Sequence, residues 1–139
     1  MEKILSKIKK NGYRITGQRM SILELLFDHV GDNLDANEIK NLLEKRGVSI
    51  DTATIYRTLE LLFSLKIVHK HNFSHQHAHY GISQPYEVHF ICNTCEEVTE
   101  ISMDEKNEII KRVKALSEGF ATETVSIEVY GTCERCRRR

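Results

Sequence analysis

The sequence predicts an α+β fold in two lobes: an N-terminal helix-turn-helix finished by a β-hairpin, and a small C-terminal α/β lobe. Three observations predict it. Apolar residues recur at helical spacing up to about residue 65 and at strand spacing just beyond it. The single proline, Pro85, punctuates the chain where one such pattern ends and another begins. All four cysteines follow it, in two Cys-x-x-Cys pairs, Cys92/Cys95 and Cys133/Cys136. These observations set the boundary between residues 1–83 and 84–139.

The first lobe is read as four helices. Residues 3–11 place Ile4, Leu5 and Ile8 on one side, and Asn11-Gly12 stops the helix. Thr16 caps the second through its side-chain oxygen. Ile22, Leu23, Leu26, Phe27 and Val30 recur there at helical spacing, and Gly31-Asp32-Asn33 is a break. Asp35 begins the third helix, with Glu38 three residues on as its capping-box partner. Its stripe is Ile39, Leu42 and Leu43, and Gly47 follows its end. Ser49 or Asp51 caps the fourth, DTATIYRTLELLFSL. Ile55, Leu59 and Leu62 share its apolar face, while Thr54, Arg57 and Thr58 point elsewhere. That second side offers hydrogen-bonding groups, an arginine and threonine methyls.

Strands follow. Ile67–Asn72 and Ala78–Ile82 read as a hairpin around Phe73-Ser74-His75-Gln76, which completes a winged helix. In the second lobe, Val88–Ile91 and Val98–Ile101 flank a cysteine turn. Ser102 caps a helix with Glu105 as its capping-box partner, and Ile109, Ile110, Val113 and Leu116 make its stripe up to Gly119. The last strand, ETVSIEVYG, alternates, with Val125, Ile127 and Val129 facing one way.

Composition bounds the function. Of 139 residues, 40% are hydrophobic and 29% charged, which fits a globular chain. No apolar run reaches the length of a membrane span, and the N-terminus lacks a secretory pattern, so a cytoplasmic address is expected. Formal net charge is zero, yet Lys3, Lys7, Lys9, Lys10, Arg14 and Arg19 crowd the first nineteen residues against Glu2 alone. Local sign decides what a face attracts; this one is either a solvated helix face or an anion-binding one. No nucleophile with an orienting base, no phosphate loop and no open zinc triad with a general base is visible, so no enzyme and no small-molecule substrate are expected.

The cysteine spacing carries the most specific chemistry. Two residues between thiolates let one tight turn aim both sulfurs at one point, and two such turns close a tetrahedral shell suited to structural Zn(II). A shell of four protein ligands has no open position, so the ion is a staple. It offsets the small core available to a lobe of this size.

Four segments then resemble one family. Thr16-Gly17-Gln18-Arg19 through Ile22-Leu23, Ala53-Thr54-Ile55-Tyr56-Arg57-Thr58-Leu59, His89-Phe90-Ile91-Cys92-Asn93-Thr94-Cys95, and Tyr130-Gly131-Thr132-Cys133-Glu134-Arg135-Cys136 are similar to the ferric uptake regulator family. The resemblance runs over nearly the whole chain, in the family's order. It implies a winged-helix DNA-binding domain over 1–83 and a dimerisation and metal-binding domain over 84–139. It also implies a homodimeric, metal-dependent repressor on a palindromic A/T-rich double-stranded DNA operator that controls metal-homeostasis or stress genes. The fourth helix matches the family's recognition helix. Arg14, Arg19, Thr54, Tyr56 and Arg57 become DNA-contacting residues. Tyr56 would pack on thymine methyls or sit partly in the core; Arg57 would reach guanine edges or phosphates, or form a surface ion pair.

The match thins at the regulatory metal site. Asn33 stands where members carry a histidine, Gly81 where they carry a carboxylate, Glu87 for the first histidine of a His-x-His, and Val125 for another histidine. Because Asn33 and Glu87 replace histidines on which the family's peroxide sensors depend, that form of sensing is not implied. His89 and Glu100 match as ligands. His69, His71, His75, His77 and His79 crowd the wing, and a regulatory site built from His71, His77, His79, Glu87, His89 and Glu100 would suit Fe(II), Zn(II) or Mn(II). Two alternatives stay open: exposed histidines on the wing, and a metal-insensitive DNA-binding regulator in which zinc is only structural.

Overall fold

The computed structural model describes residues 1–72 and 77–139. The chain forms two compact units, Met1–Ser83 and Gln84–Arg139.

The first unit contains helices α1 (Glu2–Lys10), α2 (Gly17–Asp28), α3 (Ala36–Lys45) and α4 (Thr52–Ser64), and strands β1 (Leu34–Asp35), β2 (Val68–Asn72) and β3 (Ala78–Ile82). The caps lie where the sequence puts them. Thr16 Oγ1 accepts from the Arg19 backbone N–H, and Asp51 caps α4 by accepting from Thr54 N–H. Asp35 and Glu38 form a reciprocal capping box on α3. Each satisfies donors that a helix N-terminus leaves without intrahelical partners.

The apolar stripes of all four helices meet in one core that includes Ile8, Ile22, Leu26, Ile39, Leu43, Ile55, Leu59 and Leu62, closed by Tyr80 of the wing. Two expectations are corrected here. Val30 is not part of the α2 stripe: the helix ends at Asp28, capped by His29, and Val30 is exposed. Thr58 does not belong to an exposed side of α4; it is buried, because it lies three residues after Ile55 and four before Leu62 on the core-facing side.

The wing is also larger than the expected hairpin. Leu34 and Asp35 pair antiparallel with Tyr80 and His79, giving a three-stranded sheet in the order β1-β3-β2. Two residues are too short a segment for alternation to reveal. The register β2–β3 sets His71 opposite His79 and His69 opposite Gly81. With side chains alternating along each strand, Leu34, Tyr80 and Lys70 share one face, and Asp35, His79 and His71 the other.

The second unit contains β4 (Tyr86–Cys92), β5 (Val98–Glu100), α5 (Met103–Leu116), β6 (Val125–Gly131) and a final short helix α6 (Glu134–Arg137) that the sequence reading did not include. Its sheet runs β5-β4-β6, antiparallel between β4 and β5 and parallel between β4 and β6. The α5 capping box Ser102/Glu105 forms as expected. The α5 stripe is narrower: Ile110 is buried and Leu116, at the last turn, is 78% exposed. Among the described residues no helix is long and apolar enough to cross a membrane.

Candidate metal centre and nucleic-acid interface

The parallel pairing of β4 with β6 assembles the cysteines. Register places Cys92 beside Gly131, so both strands end at the same edge. Each then enters its Cys-x-x-Cys turn. The Asn93 N–H donates to the Gly131 carbonyl at 2.8 Å, and the Cys133 N–H donates to Cys92 Sγ at 3.3 Å. Helix α6 turns Cys136 back towards Cys133, its N-cap. None of the four cysteines is in a disulfide, and their sulfurs lie within 4.8 Å of one another. Cys95 and Cys133 Sγ are 3.8 Å apart. Sulfurs bound to zinc at about 2.3 Å in a tetrahedron stand roughly 3.8 Å apart. The donor set and spacing therefore fit one Zn(II).

Electrostatics point the same way. The Cys133 backbone N–H, followed by that of Cys95, holds the Cys92 thiol down at about 6, which leaves a thiolate at neutral pH. Cys136 is pushed up to about 12, first by its sulfur contact with Cys133 and then by burial. Four neighbouring sulfurs cannot all ionise without a cation among them; a divalent ion removes that conflict.

His89 and Glu100 form a second pair in this unit. They are register partners across β4 and β5, and His89 Nε2 lies 3.3 Å from Glu100 Oε1. His89 is buried and Glu100 sits at the surface. Glu87 precedes His89 by two residues on β4, on the same face, and its carboxylate accepts from the Gln84 N–H at 3.0 Å.

In the first unit, His71 and His79 are cross-strand partners, and the His69 and His71 rings are 4.7 Å apart. His77 lies outside β3 and is exposed. His75 falls outside the described residues. His69 Nε2 is 2.5 Å from Asn33 Oδ1. A Cβ at Gly81 would meet the Asp32 carbonyl, His69 Nε2 and Asn33 Oδ1 at 2.7, 2.8 and 2.9 Å, so that space is already filled. One group went unnoticed in the sequence: ligand atoms of Asp35, Glu38 and His79 lie within 4.8 Å of one another. The signal was there, because the Asp35/Glu38 capping box was legible, but strand β1, which brings it to His79, was not.

The basic residues converge on an open groove. Arg14, Arg19, Thr54 and Arg57 line it together with Gln18 and the Gly12-Tyr13 turn. Arg19 is fixed by donating to the Arg14 carbonyl at 2.7 Å. Arg57 donates to Thr54 Oγ1 at 3.2 Å, and Thr54 in turn donates to Asp51 at 2.6 Å. Tyr56 is not on this groove: it is half-buried and packs against the core.

The profile of the Ferric uptake regulator family matches residues 10–130. The chain belongs to that family. It is 33% identical to the ferric uptake regulation protein of Bacillus subtilis, over 98% of this chain and 96% of that one. It is 32% identical to the zinc uptake regulation protein of Mycobacterium tuberculosis, over 91% of this chain and 96% of that one. The ferric uptake regulator of Pseudomonas aeruginosa, solved with manganese, matches with a TM-score of 0.66 and 26% identity over 93% of this chain and 96% of that one. The matched residues include the Cys92/Cys95 turn and end just before the Cys133/Cys136 turn that meets it.

Proposed function

We propose that the chain is a metal-responsive, DNA-binding transcriptional repressor that acts as a homodimer on a palindromic A/T-rich operator. One observation carries the reading. Arg14 and Arg19 from the α1–α2 turn and start of α2, and Thr54 and Arg57 from α4, share one groove although they are up to 43 positions apart in sequence. That is a surface for phosphate contacts beside a helix able to enter the major groove. Tyr56 contributes by fixing α4 to the core.

Dimerisation is supported by the second unit's surface. Phe90, Val129 and Tyr130 on its sheet, and Met103, Leu116 and Phe120, are large apolar residues at 40–78% exposure. A lobe this small stabilises itself by covering such area with a second copy. Zn(II) on the four cysteines would hold the lobe closed. The regulatory ion, Fe(II), Zn(II) or Mn(II), would draw on His89 and Glu100 with Glu87 in the second unit; His71, His77 and His79 are the candidate ligands of the first. The family's carboxylate position is Gly81 here and its surroundings are occupied by His69 and Asn33. That observation favours a second reading, a DNA-binding regulator in which zinc is only structural.

Selection of duplexes from a random pool, followed by sedimentation of the complex, tests the DNA and dimer parts. An A/T-rich palindrome bound by two chains is the expected result; no selectable sequence would refute it. His89→Ala should abolish any gain of DNA affinity on adding metal while leaving the dimer intact.

A further inference from the structure

We infer that the N-terminal unit holds its own divalent-cation site, built from Asp35, Glu38 and His79. It shares His79, and the neighbouring His71, with the regulatory ligand set above, while Asp35 and Glu38 belong to this site alone.

Three separate features aim these side chains at one point. Asp35 and His79 are register partners on β1 and β3, so their side chains emerge side by side on the sheet face opposite Tyr80. Glu38 is held over Asp35 by the capping box: the Asp35 N–H donates to Glu38 Oε2 and the Glu38 N–H donates to Asp35 Oδ1, both at 2.8 Å. Each carboxylate uses one oxygen in the cap and keeps Oδ2 or Oε1 outside it. One ligand atom from each of the three residues lies within 4.8 Å of the other two. His71 is the next residue in the same row, opposite His79 on β2. The site thus offers two carboxylates and one imidazole, with a second imidazole beside them.

Chemistry sets the class of ion. Two hard oxygens and a borderline nitrogen suit Mn(II), Fe(II) or Zn(II). Backbone N–H groups bonded to the carboxylates act as an outer shell that fixes their orientation before an ion arrives. The positive end of α3 opposes a cation there, and the two negative charges of Asp35 and Glu38 offset it.

The neighbouring rung explains the placement. Gly81 stands one same-face step further along β3, roughly 7 Å away, and Asn33, just before β1, lies beside it. There Gly81 has no ligand atom, and Asn33 is bonded to His69. That rung offers one imidazole and no carboxylate, whereas this one offers two carboxylates with an imidazole.

Mn(II) is the probe, added to the full-length, zinc-loaded chain carrying His89→Ala, which removes the other imidazole proposed to bind metal. Paramagnetic resonance counts bound Mn(II). Asp35→Asn and Glu38→Gln both preserve the cap, because amide oxygens accept the same backbone hydrogen bonds. With thermal melting unchanged, each should weaken one Mn(II) site per chain at least tenfold. Low levels of Mn(II) should also broaden the imidazole resonances of His79 and His71 before that of His29 in the unsubstituted fold. Unchanged Mn(II) binding in both variants, or broadening that spares His79, would overturn the site. Either result leaves the His89–Glu100 reading untouched, since His89 is absent from the binding count.

Discussion

Tyr80 donates a 2.7 Å hydrogen bond to Glu60, and this bond ties the middle strand of the wing to helix α4. Lys70 of β2 joins the same carboxylate at 2.9 Å. The phenol ring is buried while Glu60 is exposed, so the contact lies at the edge of the core. Tyr80→Phe should cost about 1 kcal/mol, the usual net worth of one such bond. Denaturant unfolding of the two chains measures it.

The same carboxylate gives a pH dependence. Lys70 and then Tyr80 lower the Glu60 pKa below its ordinary 4.5. A depressed folded value means that the stabilisation is fully present above 4.5 and is lost as pH falls through the lower folded value. Glu60→Gln should therefore flatten the stability profile below pH 4.5, and its deficit relative to the parent chain should shrink as acid is added. Urea midpoints across that range report both effects.

Gly81 is confined by its neighbours. A methyl group there would press on the Asp32 carbonyl, which is backbone, as well as on His69 and Asn33. Gly81→Ala should destabilise by about 1–3 kcal/mol, as overpacking does. Adding His69→Ala should recover part of that loss, because the carbonyl contact remains. A double-mutant cycle by denaturant unfolding isolates the coupling.

Arg57 is exposed and organised by Thr54 rather than used in the core. Arg57→Ala should leave the melting temperature unchanged and weaken operator binding. If it meets a phosphate, the slope of log affinity against log salt falls by about 1. Titrations at several salt concentrations read that slope directly.

Zinc and protons compete for the sulfurs. With Cys136 held near 12 in the metal-free arrangement, binding must displace protons, so zinc affinity should fall as pH falls. Cys133→Ser should lose the ion and loosen the second unit, because it removes one of the four clustered sulfurs, the one 3.8 Å from Cys95 Sγ. Native mass spectrometry against pH counts the ion, and retention of zinc by the serine variant would count against a four-sulfur site.

Much of this was legible in the sequence because local chemistry decides it. Thr16, Asp35 and Ser102 cap the helices they were expected to cap, and Asp51 caps α4 where Ser49 or Asp51 was expected, since each cap is a contact over three residues. The paired cysteines announced a shared centre through spacing alone. What was not legible depends on distant partners. Strand β1 exists only because β3 lies beside Leu34 and Asp35, and the Asp35–Glu38–His79 group exists only because of that pairing. Thr58 looked exposed as a polar residue, but its position on α4 between Ile55 and Leu62 buries it. Leu116 looked buried as an apolar residue, but at the last turn of α5 it is 78% exposed.

In the proposed function, metal controls the grip of the N-terminal unit on DNA. The most direct measurement is fluorescence anisotropy of the selected operator with the chain stripped of weakly held ions but retaining its sulfur-bound zinc. Adding Fe(II), Mn(II) or Zn(II) should raise affinity at least tenfold for one of them. Equal affinity with and without every one of these ions, at full zinc occupancy of the cysteines, would contradict it.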